Sequence, residues 1–212
     1  MKVLLVNGSP HKEGNTNAAL LEIARQLEKE GIGTEVLWLG MDAVSGCRSC
    51  YVCSNLGKCV INDCVNTFLD KAAETDGFIF GSPVHFGSAS GTLTSFMDRV
   101  FYADLLGKGN RFYLKPAAAI TTARRAGTTA TLDQLNKYFS LMQMPIVTSQ
   151  YWNQVHGTSP EQVRQDAEGM QIMRTLGRNM AFMLKCIKTG LEHGVQLPDQ
   201  ETRVYTNFIR TV

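Results

Sequence analysis

Little in this 212-residue sequence points to a charged partner. The 21 Lys and Arg stand against 19 Asp and Glu, for a net charge of +2. No run of basic residues would track a phosphate backbone, so nucleic acid is not an expected partner. Long apolar runs are missing too. The longest are strand-length, short of the ~20 residues needed to cross a bilayer, so no membrane partner is expected. The first residues carry one Lys, the run Val3-Leu4-Leu5-Val6, and then polar residues at once. A signal peptide needs a longer apolar core and a small-residue cleavage site. The expected location is cytoplasmic, where thiols stay reduced. Repeats, low-complexity stretches and dividing linkers are also absent. The chain therefore reads as a single domain, with a core over 1–150 and a C-terminal helix and tail over 151–212. The hydrophobic share of 44% and charged share of 19% are ordinary for a globular protein.

What is present alternates between strand and helix. Val3 to Val6 is a continuous β-branched and apolar run, as in a strand buried on both faces. Leu20, Ile23, Ala24 and Leu27 then recur at helical spacing, and Gly31 sits at a C-cap position. Thr34 to Leu39 reads as a second strand. Met41 to Cys64 reads as a long loop and Val65 to Thr75 as a helix. Gly77 to Gly81 reads as a third strand ending in the turn residues Ser82-Pro83. Leu93, Phe96, Met97, Val100 and Phe101 mark another helix. Pro116 to Ile120 is a fourth strand, Gly127 to Met142 a helix, and Pro145 to Thr148 a fifth strand. From Pro160, Val163, Ala167, Met170, Met173, Met180, Leu184 and Ile187 sketch one long helix ending near Gly190. Leu197 to Val212 shows no pattern. This alternation implies βαβ units, and five strands suit the doubly wound order 2-1-3-4-5 with helices on both faces.

The loop Gly8-Ser9-Pro10-His11-Lys12-Glu13-Gly14-Asn15-Thr16-Asn17 joins the first strand to the first helix. A helix N-terminus offers unpaired N–H groups and a partial positive charge to an anion. The loop lacks the Gly-Lys-Ser/Thr of a Walker A motif and the Gly-x-Gly-x-x-Gly of a dinucleotide site. Alone, it reads equally as a phosphate cradle or as a polar capping loop. The loop Gly81-Ser82-Pro83-Val84-His85-Phe86-Gly87-Ser88-Ala89-Ser90-Gly91 follows the third strand. In a doubly wound sheet these two loops flank the switch point where ligands bind. Thr121 to Gly127 forms a third loop on the same rim.

Gly8-Ser9-Pro10 with Gly14-Asn15-Thr16, then Gly81 to Gly87, then Phe96-Met97-Asp98-Arg99 resemble the NADPH-dependent FMN reductase group of flavodoxin-like proteins. The likeness covers roughly Met1 to Thr148. It implies an α/β, flavodoxin-like, doubly wound five-stranded parallel sheet with a C-terminal helical extension. It implies FMN phosphate near Ser9, Asn15, Thr16 and Asn17, with His11 beside it. It places the flavin ring near Pro83, Val84, His85, Phe86 and Gly87, with Thr122, Arg124 and Gly127 of the third loop closing one side. The family commonly carries Tyr or Trp where this chain has His85. Relatives associate across the flavin face, which implies a homodimer or homotetramer, with the tail residues Val204, Tyr205, Phe208 and Ile209 available to a partner.

Six cysteines in a reducing compartment suggest redox or metal chemistry. Cys47, Cys50, Cys53 and Cys59 fall within thirteen positions. A tight Cys-x2-Cys-x2-Cys run lets one loop wrap a cubane, whereas zinc sites more often use two separated pairs. The motif resembles that of the iron–sulfur flavoproteins, a branch of the same group carrying FMN and a 4Fe–4S cluster, with these four thiols as ligands. The other reading, a reduced Cys-rich loop packed near the flavin, stays open. Because the loop follows the second strand, it is expected on the flavin rim. Cys64 and Cys186 read as ordinary thiols.

The implied chemistry is that of an FMN-dependent oxidoreductase or electron-transfer flavoprotein, with NAD(P)H or a small redox protein as donor. Without a cluster the same fold suits an NAD(P)H-dependent FMN or quinone reductase. A non-enzymatic flavin sensor is the third reading. No dedicated nicotinamide domain is present, so Arg124 and Arg125 are candidates to meet its phosphates. No acid–base catalytic residue stands out.

Overall fold

The computed structural model describes residues 1–204 and Thr206. Tyr205, Phe208 and Ile209, expected above on a partner surface, lie outside the described residues. Five strands form a parallel path in the order β2-β1-β3-β5-β6. They are β1 (Lys2–Asn7), β2 (Gly33–Trp38), β3 (Gly77–His85), β5 (Ala117–Ala123) and β6 (Gln154–His156). Counted among themselves, these strands follow the expected doubly wound order. A sixth strand, β4 (Ser88–Ala89), pairs antiparallel with the end of β3, so the sheet has six strands and not five. The helices are α1 (Asn15–Lys29), α2 (Cys53–Leu56), α3 (Cys64–Ala73), α4 (Gly91–Leu106), α5 (Thr128–Leu141), α6 (Pro160–Gln165) and α7 (Ala167–Glu192).

Strand alternation divides the core into two layers. Val3, Leu5, Ile79, Ala118 and Ile120 face α1 and α7, meeting Leu20, Ile23, Leu27, Met173, Leu176 and Met180. Leu4, Val6, Phe78, Phe80, Ala117 and Ala119 face α3, α4 and α5. The second layer is aromatic. Phe68 of α3 lies 5.1 Å from Phe96, 5.9 Å from Phe78 and 6.0 Å from Phe80, ring centroid to ring centroid. The alanines of β5 leave the room that these rings occupy.

Three boundaries differ from expectation. β3 does not turn at Ser82-Pro83 but runs on to His85. Pairing with β1 ends at Gly81, while pairing with β5 continues to Pro83, so proline's missing N–H falls where one neighbour has gone. The fifth strand is not Pro145–Thr148. That stretch makes one parallel bridge, Ile146 to Ala117. The chain then bulges outward and returns as β6. Asn153 fills the gap, donating Nδ2 to the Ala119 carbonyl at 3.1 Å and accepting the Thr121 N–H on its own carbonyl at 2.9 Å. The long helix from Pro160 breaks at Asp166. Its carboxylate accepts the Gly169 N–H at 2.9 Å and the His156 N–H at 2.7 Å, which caps a new helix and ties it to β6. Among the described residues no helix is long and apolar enough to cross a membrane.

Phe68→Ala should cost ~3–5 kcal/mol of stability, because a fully buried ring leaves a cavity among rigid neighbours. Urea unfolding followed by circular dichroism checks this.

Candidate functional site

At the carboxyl ends of β1 and β3 the backbones approach closely. The Gly8 N–H donates to the Gly81 carbonyl at 2.9 Å. A Cβ on Gly8 would stand 2.8 Å from the Leu93 Cβ, and one on Gly81 would stand 2.8 Å from the Thr16 Cγ2. Neither position has room for a side chain. The Ser90 hydroxyl then donates to the Gly8 carbonyl at 2.7 Å and caps α4 through the Leu93 N–H. The β1–α1 loop, the start of α4 and the end of β3 are thereby locked together.

The β1–α1 loop is internally braced. Asn7 Oδ1 accepts the Ser9 N–H at 3.0 Å, and Ser9 Oγ accepts the His11 N–H at 3.1 Å. The Trp38 Nε1–H donates to the Ser9 carbonyl at 2.9 Å. Helix α1 starts at Gly14 with no side-chain cap and no acidic residue in its first turn, leaving the N–H groups there available to an anion. Pro10, His11, Lys12, Gly14, Trp38 and Pro160 line an open groove alongside.

The expected phosphate residues are not equivalent. Ser9 is buried, with its hydroxyl proton still to donate. The Asn17 side chain has no hydrogen-bond partner among the described residues. Asn15 Nδ2 instead donates to the Gly157 carbonyl at 2.8 Å. The Thr16 hydroxyl pairs with that of Thr122 at 2.9 Å in a buried contact. Thr16 and Thr122 thus clamp α1 to β5. His11 is exposed on the loop.

The second expected cluster forms a hairpin. His85 pairs with Ser88, and the two turn residues have positive φ, 51° at Phe86 and 74° at Gly87. That geometry matches the right-handed twist of the strands, and phenylalanine occupies it at some cost. The Phe86 ring is fully solvent-exposed at the tip. His85 is also exposed, while Pro83 and Val84 are half-buried. Gln134 of α5 holds the returning strand by accepting from Ser88 Oγ at 2.7 Å and the Ala89 N–H at 2.9 Å. Gly127, at φ 95°, lies beneath the hairpin. A Cβ there would meet Val84 Cγ1 at 2.8 Å and Gly87 Cα at 2.9 Å. Arg124 and Arg125 stand exposed on the adjacent rim.

The cysteine loop packs along α4, where Gly46 lies near Ser95 and Arg99 reaches Cys59. Cys47, Cys50, Cys53 and Cys59 line one recess together with Tyr51, Arg99 and Tyr102. Ser49 and Tyr51, either side of Cys50, adopt positive φ of 49° and 59°, a strained geometry of the kind found at functional sites. Arg99 is almost wholly buried. It grips the Asp63 carboxylate through both terminal nitrogens at 2.6 and 2.9 Å and donates Nε–H to Cys59 Sγ at 3.3 Å. Burial pushes the Cys53 thiol up, and charge on Cys50, Cys47 and Cys59 adds to that, partly offset by a backbone N–H. Cys53 is buried and Cys59 half-buried, while Cys47 and Cys50 are exposed at the mouth. Among the described residues no three His, Cys, Asp or Glu stand close enough to hold a single metal ion. A cubane makes a different demand, one thiolate for each of four separate irons, and four cysteines on one recess supply that donor set. Cys64 is half-buried at the start of α3 and Cys186 exposed.

Several site residues escape sequence reading. Trp38 at a strand end looks like core, and Ser90 and Gln134 act through contacts distant in sequence. Asp98 and Arg99 signal only as part of a family-like motif. Asp98 in fact accepts from the Tyr138 hydroxyl at 2.5 Å, while Arg99 reaches the cysteine loop.

Residues 1–158 match the family described as NADPH-dependent FMN reductase. A curated iron–sulfur flavoprotein of Methanocaldococcus jannaschii is 35% identical over 89% of this chain and 100% of its own length. The structure of RosB with bound 8-demethyl-8-formylriboflavin-5'-phosphate superposes with a TM-score of 0.67 at 16% identity, covering 100% of this chain and 94% of that one. An archaeal flavodoxin superposes with a TM-score of 0.59 at 16% identity, over 87% and 99% of the two chains.

Gly127→Ala should destabilise the protein by ~1–3 kcal/mol through strain and contact together. Gly87→Ala, where a Cβ would meet nothing within 4 Å, should cost only the ~1–2 kcal/mol of left-handed backbone. Paired denaturation curves measure both, and equal losses would show that the hairpin does not rest on Gly127.

Proposed function

Since the chain belongs to the NADPH-dependent FMN reductase family, as an FMN-binding flavoprotein with a flavodoxin-like fold, we propose that it passes electrons between FMN and a 4Fe–4S cluster held by Cys47, Cys50, Cys53 and Cys59. The observation that carries this is that all four cysteines line one recess, with a buried arginine donating to one of them. The name of the Methanocaldococcus jannaschii relative supports the same reading.

In this reading the first turn of α1, with Ser9 and Asn17, holds the FMN phosphate. Thr16 and Thr122 position that turn rather than reach the ligand themselves. The hairpin Pro83 to Gly87 gives the flavin ring a flat wall, which Gly127 supports from below. His85 and Phe86 are the residues free to lie against the ring. When bound, FMN exchanges electrons in pairs or singly and the cluster one at a time, so the two join hydride donors to one-electron acceptors. The electron donor is NAD(P)H or a small redox protein. The working form is a homodimer or homotetramer, a reading supported by the exposed Tyr151–Trp152 pair and Phe182.

The exposed Arg124 and Arg125 favour a second reading, NAD(P)H-dependent FMN reduction without a cluster. Guanidinium groups on the flavin rim are suited to nicotinamide phosphates.

Protein purified under strict anaerobiosis should carry roughly four irons per chain, with a broad absorbance that dithionite bleaches. Cys50→Ser should lose the iron and keep the flavin. Full flavin with no iron in the wild type would overturn the cluster and leave the second reading. Ser9→Ala with Asn17→Ala should weaken FMN retention about tenfold or more, from the ~1.5–3 kcal/mol of a hydrogen bond to a charged group. Equilibrium dialysis of released flavin reads this directly. Unchanged NADPH kinetics in an Arg124→Ala, Arg125→Ala variant would remove those arginines from donor binding.

A further inference from the structure

Arg99 spends every N–H it has on the cysteine loop. Nε–H donates to Cys59 Sγ at 3.3 Å. One terminal nitrogen donates to the Ser45 carbonyl at 3.3 Å and Asp63 Oδ2 at 2.6 Å. The other donates to the Ile61 carbonyl at 3.1 Å and Asp63 Oδ1 at 2.9 Å. The guanidinium has five donors, and all five are used. Four of them fix its plane against Asp63 and two backbone carbonyls, so the fifth is aimed at sulfur by the remaining four. The side chain is 1% exposed, so water does not screen it.

We propose that Arg99 is a positioning residue that sets the reduction potential of the cluster bound at Cys59, with Asp63 as its counterweight. This inference rests on the cluster reading given above. One-electron reduction adds a negative charge to the cluster without making or breaking a bond. An N–H directed at a ligand sulfur and a buried positive charge both stabilise that added charge, and hydrogen bonds to sulfur are among the controls on cluster potentials. Asp63 opposes the effect, because its carboxylate sits against the same guanidinium. Arg99 and Asp63 therefore act on the potential with opposite signs, although both hold the same loop in place.

That opposition separates tuning from scaffolding. Arg99→Lys keeps the charge but has no Nε–H at that place and no planar fork. Asp63→Asn keeps an oxygen to cap the Val65 N–H, which Asp63 Oδ1 now accepts at 3.1 Å, and removes the negative charge. Anaerobically loaded proteins are titrated with dithionite, the cluster followed by electron paramagnetic resonance and the flavin by absorbance. The cluster midpoint should move to lower potential in Arg99→Lys and to higher potential in Asp63→Asn, with the flavin midpoint unchanged in both. Wild-type cluster potentials in both variants, or shifts in the same direction, overturn the proposal. If Arg99→Lys fails to fold, shown by loss of bound FMN, Asp63→Asn decides alone, and a cluster midpoint that does not rise overturns it. A wild-type protein that takes up no iron anaerobically sinks the cluster reading itself, a result distinct from any change in potential.

Discussion

The hydrogen bond from Gly8 to Gly81 at 2.9 Å is the constraint on which the rim depends. β1 and β3 pair as far as Asn7 and Gly81, and this bond extends the ladder one step into the loops. Two facing glycines let Thr16, Leu20 and Leu93 close over the strand ends. Ser90 then fastens α4 to the Gly8 carbonyl. The β1–α1 loop, the end of β3 and α4 therefore share one anchor. A side chain at Gly8 would press on α4 and one at Gly81 on α1, so the two positions guard opposite faces of the sheet.

The cysteine loop depends on a separate anchor, the ion pair of Arg99 and Asp63. A buried ion pair is weak evidence for stability, since desolvation offsets much of the attraction. The partners differ: without Asp63 the buried guanidinium would be stranded, whereas without Arg99 the Asp63 carboxylate, 31% exposed, would still reach water. Here the arginine also satisfies the Ser45 and Ile61 carbonyls, and Asp63 caps α3. The loop has little regular structure of its own beyond the single turn of α2. Its shape is held from outside, by a side chain on α4.

Periodicity along the chain made the central sheet legible. Val3 to Val6, Gly77 to Phe80 and Ala117 to Ile120 are continuous apolar runs, and each is buried on both faces. The edge was not legible, because β6 is defined by what Asn153 does to its neighbours and not by a run of its own. The break at Asp166 was hidden for the same reason: an aspartate within a helical pattern reads as an exposed position until His156 is found to donate to it. At the rim, loop position and residue type pointed to the β1–α1 loop and to the segment that forms the hairpin. They could not distinguish Ser9 from Thr16, which differ only in whether a distant Thr122 has already claimed the hydroxyl. Likewise the spacing of the four cysteines was visible, but the contact of their loop with Arg99, forty positions from Cys59 in the chain, was not.

Both anchors meet in α4. Its N-cap, Ser90, bonds to the phosphate loop, and Arg99 bonds to the cysteine loop. At 1.5 Å per residue the nine positions between them span about 14 Å along the axis. The helix is buried along one side against Phe68, Phe80 and Phe112, so this separation is as rigid as the core. An electron carrier in the recess would then lie at a set distance from a flavin on the same chain, along a helix that takes part in both sites. The spacing between the β1–α1 loop and the cysteine recess is thus set by the packing of α4.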